Sequence, residues 1–111
     1  MNTESRFPVT IAGSDIDAGN YDITLTSGQV NFEKGFSIQT GTLTEMSVTI
    51  LDSLDGDTFV DNTREYANED TLSSNDVYKI DVRSPVHSIK VRATRTDPTN
   101  AVDLKVLAPN K

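Results

Sequence analysis

Apolar and polar residues alternate one by one along most of this chain, which restricts those stretches to strands with one buried face. The clearest run is His87–Arg95, where Ile89, Val91 and Ala93 share one face and Lys90, Arg92 and Thr94 the other. Glu45–Ile50 repeats the pattern with Met46, Val48 and Ile50 inward, and Val77–Val82 and Val102–Val106 follow it. Weaker runs cover Phe7–Ala12, Tyr21–Thr26, Gly35–Thr40 and Thr58–Asp61. Thr, Val and Ile dominate these runs and pack well on pleated surfaces. No segment carries a helical period over ten residues. The expectation is an all-β domain, an antiparallel β-sandwich or jelly roll of about eight strands.

Turn chemistry agrees. Asp55-Gly56 between two strand-like runs is the strongest short hairpin signal, and Asp97-Pro98-Thr99-Asn100 suits a turn before the last strand. Ser84-Pro85 interrupts the pattern, so a bend belongs there. Residues 61–76 are polar with little alternation, and a helical turn at Thr63–Ala67 with Asn62 as cap is expected within them. With 111 residues, one domain is expected. Its parts are a flexible N-terminal arm at 1–6, a sandwich at 7–107 and a tail at 108–111.

The chain carries no cysteine and a net charge of −7, so neither disulfides nor a cysteine metal site is expected. The acidity opposes nucleic-acid binding, which needs Lys and Arg against phosphates. No apolar run reaches membrane-spanning length, and the first residues lack signal-peptide order. Residues 1–75 hold 3 basic and 13 acidic side chains, a net of −10, whereas 76–111 hold 7 basic and 4 acidic, a net of +3. Solvated surface charge is the preferred explanation; the sharper reading is that acidic and basic faces of neighbouring copies, or of a partner, complement each other.

Catalytic chemistry is thin. Nucleophilic catalysis needs a nucleophile, a base and an orienting group together, and the single histidine, His87, begins a strand where a structural role is the simpler reading. Asp52, Asp55, Asp57 and Asp61 surround the hairpin turn and offer oxygens of the kind Ca²⁺ takes. Their spacing departs from the EF-hand loop, and Asp also favours tight turns, so turn chemistry is preferred and no metal or other cofactor is expected. Phe7, Phe36, Phe59 and Tyr78 lie in strand-like runs and read as core. Tyr66, in the polar stretch, is the aromatic expected at the surface. The sequence points to no active site, and the chain is read as a non-enzyme.

Two motifs carry a family resemblance. Val48-Thr49-Ile50-Leu51-Asp52-Ser53-Leu54-Asp55-Gly56-Asp57-Thr58-Phe59 and the later Ile89-Lys90-Val91-Arg92-Ala93-Thr94, with the runs around them, resemble small β-sandwich virion proteins of tailed bacteriophages. The likeness covers about two-thirds of the chain, and Phe59 stands where many such proteins have Trp. It implies a structural virion protein of the head decoration or cement type, made in the host bacterial cytoplasm and carried on the capsid surface. The implied partners are the major capsid protein and further copies of the chain, a trimer being favoured. Contacts are expected at Arg6 and Phe7, at Arg64 and Tyr66, and on the basic strand face at Lys90 and Arg92. The alternative is a carbohydrate- or receptor-binding module of a phage tail or fibre.

Overall fold

The alternating runs become eight strands in a computed structural model that describes residues 4–11, 19–43, 46–95 and 102–109, with side chains from 20–43, 46–95 and 104–109. They are β1 (Glu4–Ile11), β2 (Gly19–Thr26), β3 (Phe36–Thr40), β4 (Met46–Ser53), β5 (Val60–Asp61), β6 (Val77–Ile80), β7 (Ser88–Arg95) and β8 (Val102–Pro109). A 3-10 turn at Phe32–Lys34 precedes β3, and helix α1 (Thr63–Ala67) follows β5. Every expected strand is present with its ends moved. β1 begins at Glu4, so residues 4–6 are paired strand and not a free arm. β8 reaches Pro109, with Ala108 fully buried, so the tail expected at 108–111 is strand in its first half.

Two four-stranded antiparallel sheets result, in the orders β1-β8-β3-β6 and β2-β7-β4-β5. Consecutive strands lie in different sheets throughout, except for the β4–β5 hairpin. This is jelly-roll topology, one long hairpin rolled on itself. Glu4 pairs with Pro109, Gly19 with Arg95, Phe36 with Ile80 and Leu51 with Asp61. The midpoints of these nested pairs all fall at residues 56–58, so the Asp55-Gly56 turn is the tip about which the whole chain folds back.

The inner faces meet in one apolar core. Ile89, Val91 and Ala93 of β7, Val48 and Ile50 of β4, and Ile38 and Leu104 of the opposite sheet are all fully buried. Each large aliphatic side chain hidden this way contributes about 1.5–3 kcal/mol. Two glycines hold tight spots. Gly35 has φ +73, and a Cβ there would run into the Ile80 carbonyl. Gly56 has φ +83 and lies close to the His87 ring, where a Cβ would come within 2.7 Å of Cε1.

The stretch expected to lack strand is tied down. Helix α1 covers Thr63–Ala67, but Asn62 makes no side-chain cap. Asp61 does that work: its Oδ1 accepts from Thr63 N at 3.0 Å and from Thr63 Oγ1 at 2.6 Å. Thr63 in turn accepts from Ile50 N at 2.8 Å, inside the protein. Leu72 is 4 % exposed and joins the core, and Thr40 Oγ1 donates to Ser73 O at 2.6 Å. Leu72 N donates to Val48 O at 2.9 Å and Asn75 N to Gly41 O at 3.0 Å, which ties the connection to β4 and to the residue after β3.

Candidate interaction surfaces

Outward residues of β2, β7 and β4 form the first surface. Asp22 faces Arg92 in the register of β2 and β7, and takes Arg92 Nε at 2.8 Å and Nη2 at 3.1 Å. Lys90 Nζ lies 3.6 Å from the same carboxylate and 4.0 Å above the centre of the Phe59 ring, a cation–π contact. The Arg92 hydrogen bonds hold the Asp22 carboxyl below the ordinary carboxylate range against a smaller effect of burial. The basic strand face expected at Lys90 and Arg92 is therefore not an open basic patch: an acid from the neighbouring strand neutralises half of it. Phe59, expected in the core, lies half-buried on this outer face.

The second surface is the β4–β5 hairpin. Asp55 Oδ1 accepts from Asp57 N at 2.8 Å, Thr58 N at 2.9 Å and Ser53 Oγ at 2.9 Å. These donors lower its pKa to about 2. Ser53 Oγ accepts from Gly56 N at 2.8 Å, and His87 N donates to Ser53 O at 2.9 Å. The turn is thus a rigid loop that carries Leu54 outward at 80 % exposure.

Three of the four acids around this turn do separate jobs. Asp55 builds the turn, Asp61 starts α1, and Asp52 accepts from Asn62 Nδ2 at 2.7 Å and from the Tyr66 hydroxyl at 2.7 Å. No group of three His, Cys, Asp or Glu side chains able to hold a metal occurs among the described residues. Tyr66, expected at the surface, is half-buried and packs against the core. Burial, and then the Asp52 carboxylate, push its phenol well above its ordinary pKa. It is a strut and not an exposed platform. Arg64 is the exposed member of this region and pairs with Asp70 at 2.9 Å.

The third surface is the outer face of the other sheet. Cross-strand pairs place Leu107 beside Ser37 and Ser37 beside Lys79. Lys105 stands beside Gln39, and Gln39 beside Val77. Ser37, Gln39, Val77, Lys105 and Leu107 line a shallow depression of about 460 Å³, and Lys79 lies outside its lining. Among the described residues no acid lines it, and neither Lys79 nor Lys105 forms an ion pair. Arg6 occupies the register position opposite Leu107, and Phe7 the one opposite Val106.

The six candidate contact residues are therefore dispersed. Arg6 and Phe7 belong to one sheet, Lys90 and Arg92 to the other, and Arg64 and Tyr66 to the β5–β6 connection. The depression escaped sequence reading because it is made by register: its residues come from three strands that pair only in the fold. His87 Nδ1 lies 2.7 Å from Ser88 Oγ, but Ser88 is 2 % exposed, which closes that hydroxyl to a substrate. No helix is long and apolar enough to cross a membrane among the described residues.

Comparison with known proteins places the fold. No family model matches the chain, and no curated protein matches it. Among solved structures, it is similar to the SPBc2 prophage-derived protein YomS, with TM-score 0.59 and 7 % identity over 98 % of this chain and 96 % of that one. It is similar to the Yersinia pseudotuberculosis-derived mitogen, with TM-score 0.59 and 10 % identity over 98 % and 86 %. At identity this low, the likeness shows a shared fold alone.

Proposed function

We propose that this chain is a non-enzymatic structural protein of a bacteriophage particle that decorates or cements the capsid by bridging subunits of the major capsid protein. The observation that carries the reading is the end-to-end likeness to a prophage-derived protein, in which each chain spans nearly the whole of the other. Asp52, Asp55 and Asp61 are engaged in a strut, a turn and a helix start. A tightly tied sandwich suits a bridging role, because a rigid body loses little freedom on docking. In this reading the protein is made in the host cytoplasm, works on the capsid surface and assembles as a homo-oligomer, with a trimer favoured. Mass spectrometry of purified particles from the encoding phage tests it. The protein should appear in fixed ratio to the capsid protein, and its absence would overturn the reading.

The likeness to a bacterial mitogen favours one second reading, a receptor- or carbohydrate-binding module of a tail or fibre. A glycan array probed with and without chelator separates the two. Binding to defined glycans supports the module, and silence in both arms counts against it.

A further inference from the structure

The three large apolar side chains exposed among the described residues fall in two places. Leu54 is 80 % and Val60 57 % exposed, both on the β4–β5 hairpin, and Val77 is 54 % exposed in the depression on the opposite sheet. Charge divides the same way. The hairpin carries exposed Asp55, Asp57 and Asp61, whereas Lys105 lines the depression and no acid does among the described residues. One surface is a projecting turn with negative flanks, and the other is an apolar hollow with a lysine in its lining. They belong to different sheets, so a single copy cannot bring them together.

We infer that the β4–β5 hairpin of one copy docks into the depression of a second copy, seating Leu54 against Val77 and Leu107 and setting Asp57 near Lys105. The occupant is a second copy of this chain because the chain itself carries the complement in apolar surface and in charge, Leu54 and Asp57 for Val77 and Lys105. Different patches meet on the two partners, so the contact is heterologous: it closes a ring or continues as a filament. The hairpin suits this use because Asp55 and Ser53 fix its loop before contact, which spares the ordering cost of docking. An exposed leucine on a pre-formed loop gains by losing its apolar surface to a hollow on docking. This inference deepens the homo-oligomer part of the reading above, and its test needs no particle, so the two fail separately.

Sedimentation of the full chain across a concentration series tests it at low and high salt. The wild type should associate reversibly, more weakly at high salt as the charged flanks are screened. Leu54→Asp and Lys105→Glu should each weaken self-association about tenfold or more, with unchanged circular dichroism melts because both side chains are exposed. Asp57→Lys combined with Lys105→Glu should restore it. Most diagnostic is the mixture of the two single variants, where one keeps its depression and the other its hairpin. They should form a heterodimer that grows no further. A wild type that stays monomeric throughout, association that survives Leu54→Asp, or a mixture that stays monomeric would each overturn the inference.

Discussion

Arg92 on β7 grips Asp22 on β2 through two parallel hydrogen bonds, Nε to Oδ1 at 2.8 Å and Nη2 to Oδ2 at 3.1 Å, across a sequence separation of 70. The fork geometry fixes the register of an edge strand against its neighbour, and Lys90 adds charge to the same carboxylate. Asp22→Asn should cost about 1 kcal/mol, since the pair is partly solvated, measured as a shift in urea midpoint. The folded carboxyl titrates below its ordinary value of 3.8. Its contribution is therefore complete above that value and is lost as pH falls through the lower folded pKa. An Asp22→Asn variant with wild-type stability at pH 7 would contradict the pairing.

Asp55 should titrate near 2, because two backbone N–H groups and the Ser53 hydroxyl bond to its ionised form. NMR titration of the side-chain carboxyl reads this directly. The turn should loosen only as pH drops from the ordinary range toward 2, since a depressed pKa stabilises the fold above its unfolded value. A midpoint near 4 would mean that the turn is not held this way.

Gly56→Ala should destabilise the protein by about 1–3 kcal/mol. The new Cβ would need φ +83 and would meet the His87 ring. Because Gly56 sits at the tip of the whole nested hairpin, its cost should exceed that of an alanine at exposed Gly28, where the nearest atom is 4.0 Å away. Equal thermal shifts for the two variants would refute the ranking.

Tyr66→Phe should cost about 1 kcal/mol through the lost hydrogen bond to Asp52. It should also remove a phenol that ionises well above the ordinary tyrosine value, seen as a missing late step in alkaline absorbance titration. Loss of a step at the ordinary tyrosine value of 10.0 instead would place the Tyr66 hydroxyl in water.

Strand periodicity was legible because burial on one face writes itself into local sequence. Ile89, Val91 and Ala93 are fully buried as their alternation implies, and the Asp-Gly turn and the Thr63–Ala67 helix lie where their residues put them. What the sequence hid is long-range. Asp22 meets Arg92 only through the β2–β7 pairing, so Lys90 and Arg92 looked like an open basic face. Tyr66 resembled a loop aromatic because nothing local reveals that α1 lays it on the core beside Asp52. Phe59 resembled core because a two-residue strand gives too little pattern to tell its faces apart. The apolar depression draws on β3, β6 and β8 together and has no local signature.

The nested pairing has a kinetic consequence. Apart from the β4–β5 hairpin, sheet pairs join residues far apart in sequence, up to Glu4 with Pro109. Folding should therefore take milliseconds to seconds or longer, followed by tyrosine fluorescence in stopped-flow refolding. A submillisecond phase carrying the full amplitude would contradict the nested topology.

The central claim, that the chain is a capsid-binding structural protein, is met most directly by co-sedimenting the purified protein with shells prepared from phage that lack its gene. The account predicts saturable pelleting at a fixed number of copies per capsid subunit, together with shells that withstand higher temperature. Protein that stays in the supernatant at every ratio, with shells no more stable than before, would contradict it.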